Sequence, residues 1–403
     1  MSEVAQAPHS SPDGHIPQLR FPEFSGEWGR KLFNNIVDII DGDRGVNYPK
    51  SNDFFNDEYC LFLSAKNVTK NGFIFNETQF ITKERDALLR KGKLSRGDIV
   101  LTTRGTVGQF AFYSDDVLYD NIRINSGMVL LRNNNDNLLN SYFFKACKSF
   151  QISRQIKIVA FGSAQPQLTV KEINKIKISL PAKPEQQKIA AFLTAVDSKI
   201  EQLSKKQELL GEYKKGLMQQ IFSQAIRFKA DDGSDFPDWE EKKLRNVLSS
   251  VSTRPYQIKS ADILEFGSHK VVDQGQKELA GYTNEKDKLL TNDGVIVYGD
   301  HTTIVKFINY DFVVGADGVK LLTSDSNNIK YLYFNLLFNN VGPEGYKRHF
   351  SILKNVVLQI PSLPEQNKIA NFLSSIDSKI EQVGKQLNES KQFKKALLQQ
   401  MFV

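Results

Sequence analysis

The stretch Pro181–Phe222, PAKPEQQKIAAFLTAVDSKIEQLSKKQELLGEYKKGLMQQIF, occurs twice in this sequence. A shift of 180 residues places Pro361–Phe402, PSLPEQNKIANFLSSIDSKIEQVGKQLNESKQFKKALLQQMF, on top of it without a gap, and 22 of the 42 positions are identical. Each copy opens with Pro-x-x-Pro-Glu-Gln and then contains no further proline, which is typical of a helix start followed by an uninterrupted helix. The duplication therefore predicts two long helices in equivalent places of a repeated frame.

Both copies carry apolar residues at alternating steps of four and three, which is a heptad seam. The seam residues are Ile189, Leu193, Val196, Ile200, Leu203, Leu210, Leu217 and Ile221, then Ile369, Leu373, Ile376, Ile380, Val383, Leu387, Leu397 and Met401. Polar residues interrupt each seam twice, at Gln207 and Lys214 and at Ser390 and Lys394; the two lysines are equivalent, whereas Gln207 and Ser390 lie at different steps. We predict that the two stripes pack on each other as an intramolecular coiled coil. The alternative is that each helix packs only on its neighbouring domain.

The composition is that of a chain with several domains and no membrane segment. It has 403 residues, of which 40% are hydrophobic, and no run approaches the ~18 apolar residues of a membrane helix. Residues 1–16 are polar and lack the apolar run of a secretory signal, so we expect a disordered tail on a cytoplasmic protein. The two cysteines, Cys60 and Cys147, argue against a disulfide framework and a conventional zinc site. The net charge of +7 weakly favours a polyanionic partner.

A second repeat precedes each region that is unique in sequence. Leu19-Arg20-Phe21 is followed by Trp28, and Ile226-Arg227-Phe228 is followed by Trp239. The unique regions combine aromatic and β-branched residues with Gly, Asn and Asp, which predicts mixed α/β domains. We divide the chain into a tail (1–16), a first head (17–180), a central helix (181–223), a second head (224–360) and a C-terminal helix (361–403).

Each head contains an apolar strand that runs directly into a polar loop. The strands are Ile99–Leu101 and Val295–Tyr298, and loops at strand ends are common places for binding residues. Clustered basic side chains can contact phosphates, and Arg, Gln and His can bond base edges. For each residue the alternative is a solvated polar face. The candidates for DNA binding are Arg104, Arg154, Lys157, Gln165 and Gln167 in the first head and His301, Lys347 and Arg348 in the second.

The exposed positions of the long helices repeat more closely than an apolar seam requires. This repetition predicts that one kind of partner protein docks twice. The candidate docking residues are Glu201, Lys214 and Lys215 in the first copy and Glu381, Lys394 and Lys395 in the second.

The sequence gives no sign of catalysis. Residues 237–242, Pro-Asp-Trp-Glu-Glu-Lys, contain the letters of a PD…ExK nuclease core. That chemistry needs its acidic groups on neighbouring strands that converge on a metal, whereas here they are nearly adjacent. The chain also lacks a GxxxxGK[ST] phosphate loop and the Asn/Asp-Pro-Pro-aromatic tetrapeptide of adenine methyltransferases.

Over residues 17–403 the sequence resembles the specificity subunit of a type I restriction-modification enzyme. The resemblance rests on the Leu-Arg-Phe…Trp anchor, the strand Gly97-Asp98-Ile99-Val100, the segment Gly162-Ser163-Ala164-Gln165-Pro166 and the doubled Pro-x-x-Pro-Glu-Gln helix. The second head departs from this pattern. It has Asp-Gly-Val-Ile at 293–296 and no Gly-Ser-Ala-Gln-Pro segment before its helix.

The resemblance implies an α/β (α+β) fold. Two globular target-recognition domains would be separated by two long helices packed as an antiparallel coiled coil, with an internal pseudo-twofold repeat. The chain would be noncatalytic, each head would read one half of a bipartite site in double-stranded DNA, and the helices would set the spacer.

The resemblance also implies partners. Two modification (methyltransferase) subunits would dock on the helices, and restriction (translocase/nuclease) subunits would join them. S-adenosylmethionine, ATP and Mg would bind those partner subunits, with no cofactor, metal or catalytic residue on this chain. The alternative is a scaffold or regulator that binds nucleic acid through phosphate alone, without reading sequence.

Overall fold

The structure is a computed structural model that describes residues 15–160, 166–315, 317–345 and 347–403. The chain forms two compact units, one containing Met1–Gln202 and Leu387–Val403 and the other Leu203–Gln386. Each unit therefore holds one head and one end of each long helix. Within the described residues, no helix is both long enough and apolar enough to cross a membrane. Most of the tail predicted at 1–16 lies outside the described residues.

The helices include the two that the repeat predicts. They are α1 (Lys83–Leu88), α2 (Asn140–Cys147), α3 (Phe150–Ala160), α4 (Val170–Ile173), α5 (Lys183–Phe222), α6 (Ile329–Phe338), α7 (Phe350–Leu353) and α8 (Leu363–Gln400). The helices α5 and α8 have 40 and 38 residues, which corresponds to roughly 57–60 Å each at about 1.5 Å per residue. The prediction of two long helices is confirmed.

The first head is built on a four-stranded antiparallel sheet. Its strands are β1 (Gly29–Leu32), β2 (Val37–Asp41), β3 (Cys60–Leu63), β4 (Val68–Thr69), β5 (Gly72–Phe73), β6 (Phe80–Ile81), β7 (Ile99–Thr102), β8 (Phe110–Phe112), β9 (Ile122–Ile124), β10 (Met128–Asn133) and β11 (Lys177–Leu180). The main sheet has the order β2-β10-β7-β8. A smaller sheet has the order β6-β3-β9, with β3 and β9 parallel. The pairing of β1 with β11 brings the start and the end of the head together.

The second head repeats this topology although it shares little sequence with the first. Its strands are β12 (Glu240–Lys243), β13 (Ser249–Val251), β14 (Gln257–Ile258), β15 (His269–Val272), β16 (Gly281–Thr283), β17 (Val295–Gly299), β18 (Val305–Ile308), β19 (Val313–Gly315), β20 (Val319–Thr323) and β21 (Val357–Ile360). The main sheet is β13-β20-β17-β18, the smaller one is β14-β19-β15-β16 with β15 and β19 parallel, and β12 pairs with β21. The prediction of mixed α/β heads is confirmed.

The inner strands β7 and β17 are buried along their whole length and consist mostly of apolar residues, because both faces of each strand are covered. Successive side chains of a strand point to opposite faces. In β7, Ile99 and Leu101 pack in the core that contains Trp28 and the helices, whereas Val100 packs with Leu61 of the smaller sheet. Such a strand reads as a continuous hydrophobic run rather than an alternating one.

A buried ion pair joins each anchor repeat to the start of a long helix. In the first unit, the Arg20 guanidinium donates two hydrogen bonds to the Glu185 carboxylate, from Nε to Oε1 at 2.7 Å and from Nη2 to Oε2 at 2.8 Å. In the second, Arg227 holds Glu365 at 3.3 and 3.0 Å, and the Trp239 indole N–H also donates to Glu365 at 3.0 Å. A carboxylate in the first turn is favoured by the helix dipole. The anchor and helix motifs are thus the two halves of one contact.

The glutamine that follows each of these glutamates fixes the helix to its head. The Gln186 side chain accepts from the Leu139 N–H at 2.9 Å and donates to the carbonyls of Asn137 and Pro181 at 2.9 and 2.8 Å. In the second unit, Gln366 accepts from the Asn328 N–H at 2.9 Å and donates to the Pro361 carbonyl at the same distance. In the Pro-x-x-Pro-Glu-Gln motif, the glutamate therefore attaches the helix start to the anchor repeat, and the glutamine attaches it to the rest of the head.

In both units the start of one long helix packs on the end of the other. In the first unit, Leu193 near the start of α5 shares a core with Met401 at the end of α8. In the second unit, Leu373 near the start of α8 shares a core with Ile221 at the end of α5. This pairing is antiparallel, and the predicted coiled coil between the helices is confirmed.

Two of the polar interruptions of the seam form ion pairs between the helices. Lys214 of α5 lies 2.6 Å from Asp377 of α8, and Lys394 of α8 lies 2.6 Å from Asp197 of α5. The two pairs are equivalent in the 180-residue repeat, because Lys214 corresponds to Lys394 and Asp197 corresponds to Asp377. Polar residues on a seam fix the register of a coiled coil, so these pairs define one alignment of α5 on α8.

Replacing Arg227 with Met should destabilise the second unit by about 3–5 kcal/mol, because the buried Glu365 carboxylate then loses its main compensating charge. Urea unfolding followed by Trp239 fluorescence, in a Trp28→Phe background, measures the loss. The control is Arg245→Met, since Arg245 is exposed. Equal losses for the two variants would contradict a special role for the buried pair.

The Asp197 ion pair should make stability depend on pH in a defined direction. Burial alone would raise the pKa of the Asp197 carboxyl, but hydrogen bonds from Lys145 and Lys394 outweigh burial and lower that pKa. The stabilisation is therefore present above the unfolded pKa of about 3.9 and is lost as the pH falls through the lower folded value. Asp197→Asn should cost about 1–2 kcal/mol at pH 7.

Chemical unfolding of the wild type and the Asp197→Asn variant between pH 7 and 3 tests this dependence. The difference in unfolding free energy should shrink at the acid end, and Glu208→Gln, at an exposed ion pair, should show no such trend. A difference that grew with acidity would contradict the assignment.

Candidate nucleic-acid interface

The loop at the end of β7 is a closed turn that holds Arg104 at the surface. The Gly127 carbonyl accepts the N–H groups of both Thr103 and Arg104, at 2.8 and 3.2 Å, and the Thr103 carbonyl accepts the Leu168 N–H at 3.0 Å. Gly105 supplies a φ of +70°, which an L side chain rarely adopts. Hydrogen bonds hold the backbone of Thr103 and Arg104 in place, while the Arg104 side chain is exposed.

The structure brings three of the predicted DNA-binding residues of the first head to this loop. Gln167 is exposed and directly precedes the residue bonded to Thr103. The helix α3 reaches the same loop because Ile156 lies against Gly108, where an added Cβ would be 3.0 Å from the isoleucine side chain. Lys157, next along α3, is exposed. Arg104 therefore lies in this loop, and Lys157 and Gln167 each follow or precede a residue that contacts it.

The two remaining candidates of the first head do not join this group in the same way. Arg154 is exposed one turn earlier on α3, where it lines a basic recess with Arg30 and Lys177. Gln165 lies outside the described residues.

In the second head the corresponding loop, Asp300–Thr303 after β17, is tied to Gln274. Gln274 follows β15, accepts the His301 N–H at 3.2 Å with its side chain and accepts the Thr302 hydroxyl at 2.6 Å with its carbonyl. The Asp300 N–H donates to the Gly318 carbonyl at 2.7 Å, as Thr103 does to Gly127 in the first head.

This second loop is tightly packed and strained. A Cβ on Gly318 would lie 2.5 Å from the Gln274 side chain, and one on Gly299 would lie 2.1 Å from the Thr302 hydroxyl. Thr303 has a φ of +57°, which is a strained conformation for a β-branched residue. Residues held in such conformations concentrate at binding and catalytic sites.

His349 fastens a second segment to this loop. Its ring is buried, its Nδ1 lies 3.1 Å from the Asp300 carbonyl, and its Nε2 accepts the Glu344 N–H at 2.9 Å. Because Nε2 accepts, Nδ1 carries the proton and donates. Lys347 and Arg348 are exposed just before His349, and the Lys347 carbonyl lies 3.2 Å from His301 Nδ1. The three candidates of the second head are thus brought together.

The predicted docking residues divide into two groups. Glu201, Lys215, Glu381 and Lys395 are exposed on α5 and α8. Lys214 and Lys394 are largely covered, because they form the ion pairs between the helices.

The described residues show no arrangement that suggests catalysis. Among them, no group of three or more His, Cys, Asp or Glu side chains could hold a metal ion. In the nuclease-like hexapeptide, Asp238 is fully exposed and Glu240 and Glu241 lie on the exposed strand β12.

Comparison with known proteins accounts for the repeated frame. The family model described as type I restriction modification DNA specificity domain matches residues 32–210 and again 237–391, so each head with part of its helix matches it once. The chain belongs to this family.

Curated specificity subunits resemble the chain over most of its length. The type I restriction enzyme MjaVIII specificity subunit of Methanocaldococcus jannaschii is 26% identical over 356 residues, 79% of each chain. The putative MjaX specificity subunit of the same organism is 23% identical over 83% of each chain.

The fold recurs in solved structures from type I restriction-modification systems. The S subunit of a type I restriction-modification system from M. genitalium matches with a TM-score of 0.62 and 14% identity, over 96% of this chain and 99% of that one. A chain from a structure of type I complex assembly matches with a TM-score of 0.52 and 18% identity, over 92% and 96%. The chain is a noncatalytic specificity subunit of a type I restriction-modification system, and its heads are target-recognition domains.

Replacing His349 with Phe should loosen the segment that carries Lys347 and Arg348, because the ring can then neither donate to Asp300 nor accept from Glu344. Hydrogen exchange of the Glu344 amide should accelerate at least tenfold, whereas the amides of β17 should exchange as in the wild type. The control is Arg348→Ala, which removes an exposed side chain of the same segment. Unchanged exchange at Glu344 in the His349 variant would contradict the proposed fastening.

Proposed function

We propose that each head reads one half of a bipartite site in double-stranded DNA. The first head would do so through the loop that follows β7, and the second through the loop that follows β17. The observation that carries this proposal is the contrast between loop backbone and loop side chains. The loops after β7 and β17 occupy equivalent places in the main sheets, and each donates a backbone N–H to an equivalent turn, at the Gly127 carbonyl in the first head and at the Gly318 carbonyl in the second. They present different side chains, Arg104 and His301. A constant scaffold with variable loop side chains suits the recognition of two unlike half-sites.

The candidate side chains of the two heads suit two kinds of contact. Arg104, Gln165, Gln167, His301 and Arg348 have donors or acceptors that can pair with base edges in the major groove. Arg154, Lys157 and Lys347 suit the phosphate backbone, which fixes the register of the protein on DNA without carrying sequence information.

The paired helices suit two further roles, to set the spacer and to dock partners. The exposed side chains of Glu201, Lys215, Glu381 and Lys395 recur at equivalent positions. So do the exposed aromatic rings of Tyr213 and Phe393, 56% and 53% accessible. Aromatic residues at the centre of an interface contribute much of its binding energy. Two copies of one surface suit two copies of one partner, which we assign to the modification subunits.

The partner subunits supply the chemistry in this proposal. The modification subunits carry S-adenosylmethionine and methylate adenine, and restriction subunits join them in the cytoplasm with ATP and Mg. Lys214 and Lys394 contribute to docking indirectly, by holding the helices in register.

The function is tested by assembling the chain with its modification subunits and mapping methylated adenines in a random DNA library. We expect one bipartite sequence with a fixed spacer. Methylation without sequence preference would favour binding through phosphate alone.

Arg104→Ala and Lys157→Ala should have different effects on the assembled enzyme. Loss of a base contact by Arg104 should reduce discrimination at one position of one half-site, by about 1–3 kcal/mol. Loss of Lys157 should weaken binding to all sequences about equally and reduce the salt dependence of binding. Competition binding with single-base variants of the site, at two salt concentrations, separates these effects. A uniform loss for Arg104→Ala would place Arg104 on phosphate.

Tyr213→Ala and Phe393→Ala should each weaken the binding of one modification subunit by about 2 kcal/mol, roughly 30-fold, because each ring is an exposed anchor. The double variant should lose both subunits, which analytical ultracentrifugation can count. The control is Glu208→Ala, an exposed residue of α5 whose equivalent is Asn388. If the control were as damaging as the aromatic variants, the docking surface would lie elsewhere.

A further inference from the structure

A rigid loop that no sequence motif singled out lies beside the Arg104 loop. Residues Gly42–Tyr48 follow β2 and close around the buried carboxylate of Asp43, which accepts the N–H groups of Gly45 at 2.7 Å and Arg90 at 2.8 Å. These two backbone hydrogen bonds lower the pKa of Asp43. The Tyr48 N–H donates to the Gly45 carbonyl at 3.0 Å. The backbone of the loop is therefore set in one conformation.

The loop is fixed to the turn that also supports Arg104. Gly42 packs so closely on this turn that an added Cβ would lie 2.2 Å from the Asn125 carbonyl oxygen. Arg44 donates through Nη2 to the Ser126 carbonyl at 3.3 Å. The next residue of the turn, Gly127, accepts the backbone N–H of Arg104. Arg44 and Arg104 thus flank a single turn of three residues.

The loop presents two side chains whose exposure the fold does not explain. Val46 is 96% accessible, although nothing in its loop requires an apolar residue at that position. The Arg44 side chain is 48% accessible and is oriented by Asp41, 3.1 Å from Nη2. An arginine held by a carboxylate and a carbonyl is positioned before any ligand arrives, so less side-chain entropy is lost on binding.

The loop belongs to the first head alone. In the second head, β13 is followed by Ser252-Thr253 and a 3-10 turn at Arg254–Tyr256, without the Gly-Asp-x-Gly sequence that builds the loop. The main sheets of the two heads have the same strand order, but the segments that follow β2 and β13 differ. A difference of this kind, beside the loop proposed to read bases, is expected where two heads read different sequences.

We infer that the Gly42–Tyr48 loop is a second base-reading element of the first head, with Arg44 and Val46 as specificity-determining residues. Arg44 would donate to the acceptors of a guanine edge, and Val46 would pack on an apolar base group such as the thymine methyl, in the major groove. This inference rests on the proposed function of the first head.

The test uses the chain assembled with its modification subunits and a random DNA library, with methylated sites mapped by sequencing. Arg44→Ala should reduce discrimination about five- to 150-fold at one or two positions of one half-site. Val46→Ala should reduce it by a smaller factor, about fourfold for each buried methyl group lost. Those positions should differ from the ones that Arg104→Ala affects. The other half-site and the spacer should stay unchanged. The control is Leu118→Ala, because Leu118 is 93% accessible but lies beyond the far end of β8.

Each result decides a separate question. A wild-type enzyme without a bipartite site would refute the proposed function itself. A bipartite wild-type site that both variants left unaltered would refute the role of this loop alone. A loss spread evenly over all sequences would place Arg44 on phosphate and also overturn the inference.

Should Arg44→Ala unfold in a thermal melt, Arg44→Lys keeps the charge without the planar fork. The Arg44→Lys variant should then lose discrimination at the position expected for Arg44→Ala. Full discrimination by a folded Arg44→Lys variant, with Val46→Ala also unchanged, would count against the inference.

Discussion

The organisation of this protein depends on a buried carboxylate at the start of each long helix. Glu185 and Glu365 have little contact with water and are compensated by Arg20 and Arg227 of the anchors. Removing such charges from water costs several kcal/mol each, so a buried pair contributes little net stability compared with apolar residues. Its effect is geometric, because the bidentate arginine accepts only one placement of the helix start. With the neighbouring glutamine, it sets the direction in which each helix leaves its head.

The polar pairs between the helices act in the same way. Lys214–Asp377 and Asp197–Lys394 replace apolar contacts that would pack more strongly but would tolerate a shifted alignment. The repeat makes these two pairs equivalent, and it makes the exposed rings of Tyr213 and Phe393 equivalent as well. A duplicated frame can therefore offer the same surface twice while its two heads diverge. The repeated joints and the differing loops consist of different residues, so a change in one need not disturb the other.

Local patterns predicted much of this fold, and contacts between distant residues account for what they missed. Heptad periodicity was sufficient for α5, α8 and their pairing, because a seam needs a partner and the chain contains two. The anchor repeat was visible, but its pairing with Glu185 and Glu365 was not, since more than 130 residues separate the partners. The heads share little sequence with each other, so a direct comparison of the two segments could not show that their main sheets have the same strand order.

For the candidate site too, local sequence predicted some residues, and others became evident only from contacts in the folded structure. Arg104 and His301 follow strands that are evident in the sequence, and the structure places both in tied surface loops. Gln274 and Arg44 became candidates only when folding set them against those loops, although polar residues just after a strand were an available signal for both. Lys214 and Lys394 were predicted to face a partner, yet their seam positions turn them toward the other helix.

The central claim is that each head reads its half-site independently within a constant frame, and exchanging one head tests it most directly. Residues 243–357 would be replaced by the equivalent region of another specificity subunit, and the methylated adenines of the assembled enzyme would be mapped. We predict that one half of the bipartite site changes while the other half and the spacer stay the same. A change in both halves, or in neither, would contradict it.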